Sequence, residues 1–292
     1  MRGIFRIINF IMLFAAAALP LSAKTKQPTV RKAIPVQRGD TLPTYVDTGR
    51  APDVSAASVM VFDPRTGAIL YQKNPDAPRA PASTQKLLTA LIIAEEGNLD
   101  HRVVVEPGDT QTEPTKLGFK AGEVYTRREL LTVLLVHSTN DGAIALARDN
   151  AGSVWGFAEK MNRRAAMLGM TSSHFVNPNG LPAPGQYSTA RDMARIARAA
   201  YSNGLIRSIV SIKELPFRYA DGHVRVFKNT NRVLRSYPLC NGMKTGYTEA
   251  AGKCLIASGS SGGRDVIVVV LGDTSQSIWR DAYFLLAWGL TS

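Results

Sequence analysis

The chain has 292 residues and carries 35 lysines and arginines against 23 acidic residues, a formal net charge of +12. This charge suits a nucleic acid or another anionic partner, but no nucleic-acid-binding module is recognisable, so we exclude nucleic acid. The histidines and the two cysteines lack the spacing of metal ligands, so we assign no metal and no other cofactor.

The N-terminus has the pattern of a secretory signal peptide. Arg2 and Arg6 precede an apolar run over residues 7–19, and the small-residue site Leu21-Ser22-Ala23 follows. The run is shorter than the roughly 20 apolar residues that span a bilayer, which favours cleavage after Ala23 over retention as a membrane anchor. We therefore expect export to the periplasm or cell envelope. There the basic surface either associates loosely with the anionic membrane surface or with cell-wall polymer, or it has no partner.

A basic linker is predicted to separate the signal peptide from the folded domain. Residues 24–52 are rich in Lys, Arg, Pro, Thr and Asp and lack apolar periodicity, so we expect them to be mobile. The domain is predicted to occupy residues 53–292 without an internal repeat. It opens with a β-hairpin, because β-rich runs at residues 58–62 and 68–71 flank a stretch with turn chemistry, Asp63-Pro64-Arg65-Thr66-Gly67.

A helical block follows this hairpin. Pro81-Ala82-Ser83 opens a segment that runs to Glu96 and stops at Gly97-Asn98, which places Ser83 at a predicted helix start. Further helical patterns cover residues 127–136, 141–150, 154–168 and 189–203. The C-terminal third returns to strands at 255–257 and 265–271 and closes with an apolar helix at 279–289. The pattern predicts an α+β domain whose sheet takes strands from both ends of the chain, with the helical block inserted between them.

The two cysteines are predicted to stay unpaired, although export would permit a disulfide. If a hairpin turn lies between Tyr247 and Lys253, Cys240 lies opposite roughly residue 260. Its sulfur is then on the order of 20 Å from that of Cys254 along the sheet. We expect two free, mostly buried thiols.

Three short motifs occur in an order and spacing that together indicate one active site. They are Ser83-Thr84-Gln85-Lys86, Ser138-Thr139-Asn140 and Lys244-Thr245-Gly246. Taken singly, each has a plain structural explanation as a helix cap, a helix start or a strand end. Their conjunction favours an acyl-transferring serine enzyme.

Ser83 is the predicted nucleophile and Lys86 the base that removes its proton. A spacing of three residues on a helix places the two side chains on one face. A solvated lysine with a pKa near ~10.4 cannot act as this base, so the site must lower its pKa by several units. We expect the charge of Lys244 to contribute about 3 kcal/mol of repulsion at about 5 Å, with partial burial adding to the effect.

The remaining motif residues are predicted to bind or protonate the substrate. Ser138 is placed to relay a proton to the leaving amine, and Asn140 to hold Lys86 or the substrate amide. Lys244 and Thr245 present a cation and a hydroxyl, which suit a terminal carboxylate. Gly246 removes a side chain beside the approaching substrate.

At these motifs the chain resembles the penicillin-binding D-alanyl-D-alanine carboxypeptidase family of serine peptidases. The resemblance runs over about residues 58–272 and is most specific from Phe175-Val176-Asn177-Pro178-Asn179-Gly180-Leu181 to Tyr187-Ser188-Thr189-Ala190-Arg191-Asp192-Met193. It implies the β-lactamase and transpeptidase-like fold, with an antiparallel sheet against helices. It also implies peptidoglycan stem peptides ending in D-Ala-D-Ala as substrates, β-lactams as covalent inhibitors, and oxyanion donors on the backbone N–H groups of Ser83 and Tyr247.

Several departures keep alternatives open. Thr139 stands where relatives often have glycine, and Gln186 where many have histidine, which leaves the fine substrate preference undecided. The chain ends near Ser292 without the extra β-domain and amphipathic anchor of larger carboxypeptidases, and in this it resembles the short D,D-endopeptidases that cut cross-links. A D,D-carboxypeptidase is thus the first hypothesis and a D,D-endopeptidase the alternative.

Two further classes fit the sequence less well. A catalytically inactive wall-binding module is disfavoured because the serine and both lysines of the motifs are present. A β-lactamase of class A needs a loop glutamate to activate the deacylating water, and no glutamate occurs between Glu159 and Lys213.

Overall fold

The computed structural model describes residues 42, 43 and 45–292. The predicted signal peptide and most of the predicted linker lie outside the described residues. Within the described part, no helix is long and apolar enough to cross a membrane. Near the start of this part, the ring of Tyr45 packs against Tyr283 and Phe284.

An antiparallel five-stranded sheet forms the centre of the domain, in the order β2-β1-β9-β8-β7. Its strands are β1 (Ser58–Phe62), β2 (Ile69–Lys73), β7 (Cys240–Thr248), β8 (Gly252–Ser261) and β9 (Arg264–Asp273). Two small two-stranded sheets consist of β3 (Arg102–Val104) with β4 (Val124–Thr126), and β5 (Glu214–Arg218) with β6 (Val224–Lys228). Strand β7 is an edge of the main sheet, so one side of its backbone is free of a neighbouring strand.

Eight α-helices of the described chain surround the sheet. They are α1 (Lys86–Glu96), α2 (Arg127–His137), α3 (Asn140–Ala151), α4 (Val154–Met167), α5 (Ala190–Ser202), α6 (Gly204–Val210), α7 (Arg232–Ser236) and α8 (Ile278–Thr291). Two short 3₁₀ turns of the described chain lie at Ala82–Gln85 and Pro107–Thr110. The helical block from α1 to α6 packs on one face of the sheet, and α8 packs on the other.

The apolar run of β9 shows why both faces are covered. All residues from 266 to 271 are buried, and successive side chains of a strand point to opposite faces. Ile267, Val269 and Leu271 join the core of the helical block, whereas Val266, Val268 and Val270 join the core under α8. A continuous apolar strand is expected where helices cover a sheet on both sides.

The predicted α+β class is confirmed, and so are the first hairpin and the long helices. In the hairpin turn, Asp63 Oδ1 accepts hydrogen bonds from the backbone of Arg65 and Thr66. The prediction of free, buried thiols is also confirmed. Cys240 pairs with Gly259, and Cys254 pairs with Gly246 farther along the same two strands.

The structure differs from the sequence prediction at the start of α1 and in the small elements. A 3₁₀ turn precedes α1, so Ser83 lies one turn before the α-helix and not at its first residue. The β3–β4 and β5–β6 pairs and the short helices α6 and α7 are not predicted from the sequence. Their patterns are brief, and Pro216 interrupts the apolar alternation of β5.

Candidate active site

Ser83 lies in the 3₁₀ turn Ala82–Gln85, which two glycines allow to approach the neighbouring backbone closely. A Cβ atom on Gly246 of β7 would lie 3.0 Å from the Ser83 nitrogen. A Cβ atom on Gly180, whose φ of +84° also favours glycine, would lie 2.1 Å from the carbonyl oxygen of Ala82. Glycine at both positions therefore lets β7 and the loop at 177–181 enclose the serine.

Lys86 is fully buried beneath Ser83 and touches three oxygen atoms. Its Nζ lies 2.7 Å from Ser83 Oγ, from Asn140 Oδ1 and from the carbonyl oxygen of Asn179. The amide of Asn140 is oriented by its own donors, because Nδ2 donates to the carbonyl oxygens of Glu113 and Pro114 at 2.8 and 3.0 Å. Its Oδ1 is thus fixed as an acceptor facing the lysine.

These contacts determine which atom of a neutral Lys86 faces the serine. A neutral amine has two N–H bonds and one lone pair. The oxygens of Asn140 and Asn179 can only accept, so they take the two N–H bonds. The lone pair then points at the hydroxyl of Ser83, which is the orientation a general base requires.

Burial lowers the pKa of Lys86 well below its usual value of 10.5, and the charge of Lys244 lowers it further. Asp141, also buried, opposes the shift. From the sequence, the charge of Lys244 is expected to be the leading cause of this lowered pKa. Burial is the larger cause, because the amine is enclosed by the serine turn, Asn140 and the 177–181 loop, where little water can solvate a charge. Burial also lowers the pKa of Lys244, to about 7.

Ser138 and Asn140 lie at the junction of two helices. Thr126 and Glu129 form a capping box at the start of α2, which ends at Ser138 in a left-handed conformation with φ of 68°. Helix α3 begins two residues later at Asn140. This sharp connection places both side chains on the same cavity as Ser83.

Lys244, Thr245 and Tyr247 follow one another along edge strand β7. Lys244 is buried, and its Nζ donates to the carbonyl oxygen of Thr245 at 3.0 Å. The hydroxyl of Thr245 lies 2.7 Å from that of Thr230, so two hydroxyls sit side by side. Tyr247 is 57% exposed at the outer part of the strand.

One cavity of about 340 Å³ joins these groups. Its walls come from the serine turn, the segment before β4, the α2–α3 junction, the 177–181 loop, the β6–α7 connection, the β7–β8 hairpin and the start of α8. The lining residues are Ser83, Pro114, Thr115, Ser138, Asn140, Gly180, Leu181, Thr230, Thr245, Gly246, Tyr247, Thr248, Lys253, Cys254, Ile278 and Trp279. Lys86 and Lys244 are buried behind this lining. Among the residues that the structure describes, no cluster of His, Cys, Asp or Glu is arranged to hold a metal.

The structure brings all eight candidate site residues to this one place. It also adds groups that the sequence analysis did not assign: the carbonyl oxygen of Asn179, the hydroxyl of Thr230, the carboxylate of Asp141 and the amine of Lys253. Asn179 lies in the segment that is most specific to the family resemblance, and this was the signal in the sequence that could have pointed to it. The group that contacts Lys86 is a backbone carbonyl, however, and the side-chain types of a sequence do not show which carbonyl groups face a site.

A buried lysine against a serine in an α+β fold of this topology defines an acyl-transferring serine enzyme. The chain belongs to the D-alanyl-D-alanine carboxypeptidase family, peptidase S11, whose family model matches residues 46–275. The predicted family, enzyme class and fold type are therefore confirmed.

The chain is similar to proteins that are named as carboxypeptidases, endopeptidases and transpeptidases. The D-alanyl-D-alanine carboxypeptidase DacB2 of Mycobacterium tuberculosis is 36% identical over 244 residues, which cover 82% of this chain and 83% of that protein. The D-alanyl-D-alanine endopeptidase of Escherichia coli is 30% identical over 246 residues, covering 82% and 79%. The crystal structure of the Streptomyces K15 DD-transpeptidase matches with a TM-score of 0.78 at 30% identity, covering 83% of this chain and 100% of that chain.

Proposed function

We propose that this protein is a serine D-Ala-D-Ala carboxypeptidase that removes the terminal D-alanine of peptidoglycan stem peptides through an acyl-enzyme on Ser83. The observation that carries the proposal is the buried amine of Lys86, 2.7 Å from Ser83 Oγ, with its two N–H bonds taken by Asn140 and Asn179. A lysine held in this way has a pKa well below its usual value and the orientation of a general base.

The reaction forms one bond to the serine and breaks one peptide bond. Neutral Lys86 takes the hydroxyl proton while Ser83 Oγ attacks the carbonyl carbon of the penultimate D-alanine. The developing oxyanion lies between the backbone N–H groups of Ser83 and Tyr247. Collapse breaks the C–N bond, and the leaving amine takes a proton through Ser138, so free D-alanine departs. Water then hydrolyses the ester and returns the proton to the serine.

The substrate carboxylate has a natural receptor at the other end of the cavity. Thr245 and Thr230 offer adjacent hydroxyls, and Lys244, which precedes Thr245 on β7, supplies a buried amine beside them. A bound carboxylate favours the charged form of Lys244, whose pKa burial lowers to about 7 in the empty site. Binding of the D-alanine terminus therefore keeps Lys244 protonated, while the bound carboxylate offsets part of the positive charge that acts on Lys86.

The D,D-endopeptidase stays a second candidate because the Escherichia coli endopeptidase matches most of this chain. Incubation of the purified protein with a pentapeptide stem and with a cross-linked stem dimer, followed by mass analysis, separates the two. A carboxypeptidase releases D-alanine from the pentapeptide and leaves the dimer linked, whereas an endopeptidase splits the dimer. Ser83→Ala is the control, and binding without any product would indicate an inactive wall-binding module.

We also propose that the protein is exported and that residues 53–292 form its catalytic domain. The signal-peptide pattern before Ala23 supports export, and the described fold begins its first strand at Ser58. Mass spectrometry of the protein from its native host tests the proposal. A mature N-terminus at Lys24 is expected, and an intact Met1 in the envelope fraction would contradict cleavage.

A further inference from the structure

One cation of the cavity wall has no part in the proposed mechanism. Lys253 lies at the start of β8, directly opposite Tyr247 of β7, and borders the same cavity as Ser83. Its Nζ lies 3.7 Å from the centroid of the Tyr247 ring. It forms no ion pair with a carboxylate of the described residues. A positive charge with one aromatic neighbour thus faces the space where substrate binds.

A carboxylate is near Lys253 on its other side but does not engage it. Asp273 of β9 pairs with Lys253 across the sheet. One oxygen of Asp273 accepts hydrogen bonds from Ser277 Oγ and the Thr274 backbone, and the other is buried without a partner. The lysine side chain extends away from Asp273 toward the free edge of the sheet. Its charge is therefore available to a ligand bound along β7.

The strand geometry places Lys253 on one side of such a ligand. Residues paired across neighbouring strands share a face of the sheet, so Tyr247 and Lys253 lie on one face, while Gly246 lies on the other, against Ser83. Trp279 of α8 lines the same cavity. An extended peptide along the β7 edge alternates its side chains between the two faces. A residue upstream of the scissile bond therefore meets Lys253, Tyr247 and Trp279.

We propose that Lys253 is a specificity-determining residue that binds a free side-chain carboxylate on a stem-peptide residue upstream of the D-Ala-D-Ala terminus. Tyr247 and Trp279 contact the apolar part of the same side chain. The inference rests on the proposed function, since it assigns the acyl side of the substrate to this end of the cavity. Amidation of the stem carboxylate removes the negative charge and hence this contact.

Two synthetic pentapeptides test the proposal, identical except that the carboxylate in the side chain of the third residue is free in one and amidated in the other. We expect the wild type to cleave the free acid with a kcat/KM about fivefold higher, mainly through KM, because a partly exposed charge pair contributes on this scale. Lys253→Met should lose that preference by slowing only the acidic peptide. Lys213→Met, which removes an exposed lysine outside the cavity lining, is the matched control.

The outcomes separate this inference from the proposed function. If the wild type cleaves both peptides equally, or if Lys253→Met slows both to the same extent, the specificity role is wrong while the carboxypeptidase proposal stands. If the wild type cleaves neither peptide and a penicillin does not label Ser83, both proposals fail. Labelling of Lys253→Met by a penicillin with an uncharged side chain should equal that of the wild type, which shows that the site is intact.

Discussion

The reactivity of Ser83 depends on the protonation state of one neighbouring side chain. Lys86 is a base only when neutral, and the enclosed position of its amine lowers its pKa well below 10.5 before any charge acts on it. The sequence could place the two residues together but could not rank burial above the charge of Lys244. The burial of the Lys86 amine depends on Asn140 and Asn179, two residues that lie far from Lys86 and from each other in the sequence.

The pH dependence of acylation should reveal how much Lys244 contributes. Acylation requires neutral Lys86. The acylation rate is therefore maximal at a pH above the pKa of that amine and falls as the pH drops below this pKa. Lys244→Gln removes a charge that lowers this pKa. We therefore expect the acidic limb of the acylation rate to shift to higher pH, measured with a fluorescent penicillin. An unchanged limb with weaker binding alone would mean that Lys244 only receives the carboxylate, and Lys213→Gln controls for net charge.

At the scale of secondary-structure elements, the site forms where the ends of several helices and strands and the loops between them lie close together. The 3₁₀ turn before α1, the α2–α3 junction, the 177–181 loop and the edge strand β7 each contribute to one cavity. The sequence predicted the helices and the strand on which the motifs lie, because their patterns are long and periodic. It could not predict how closely those ends approach, since close approach depends on glycines whose role shows only in three dimensions.

Gly246 provides a test of that approach. A Cβ atom there would lie 3.0 to 3.1 Å from the nitrogens of Ser83 and Thr84 and from Ala82. Gly246→Ala should push β7 away from the serine turn and lower the rate of acylation by roughly ten- to a hundredfold, because small displacements of reacting groups are costly. Gly204→Ala adds a methyl group where nothing lies within 4 Å and should leave the rate unchanged. Equal rates for the two variants would contradict the geometry.

The buried carboxylate of Asp141 should stabilise the wall of the cavity that holds Asn140. Its Oδ2 accepts from the backbone nitrogens of Leu117 and Gly118 at 2.8 and 3.0 Å. Asp141→Ala leaves the buried nitrogen of Leu117 and the part-buried nitrogen of Gly118 without their acceptor, so we expect the free energy of unfolding to fall by about 1–3 kcal/mol in a denaturant titration. Asp221→Ala, at an exposed turn, should change it little. A stability of Asp141→Ala equal to that of the wild type would refute this role.

At the scale of the whole molecule, the sheet and its two covering layers follow from the pattern of the chain. Strand β9 and the apolar helix α8 are predicted from the sequence, and in the structure the sheet is covered on both faces, with α8 on one of them. The β5–β6 hairpin was missed because most of its residues are exposed and its alternation is weak. The catalytic motifs were predictable because they are side-chain patterns. The carbonyl of Asn179 and the cation of Lys253 were not, because only the fold brings them to the cavity.

From the composition of the 177–181 loop beside Lys86, we expect the penicilloyl ester on Ser83 to be hydrolysed slowly. The loop presents the carbonyl oxygen of Asn179 to the amine, and no glutamate occurs between Glu159 and Lys213. Among the described residues that line the cavity there is no Asp or Glu to activate water against the penicilloyl ester, and its bulky leaving group stays attached. D-alanine, in contrast, departs and admits water. We expect the adduct to persist for minutes or longer, and penicillin hydrolysis as fast as D-alanine release would contradict a peptidase assignment.

The central claim is that Ser83 becomes acylated with the help of Lys86. The most direct measurement is mass spectrometry of the protein after brief exposure to a penicillin, with the adduct mapped by peptide digestion. The account predicts one penicilloyl group, located on the peptide that contains Ser83, and none on Ser83→Ala. An adduct on another residue, or equal labelling of the wild type and Ser83→Ala, would contradict it.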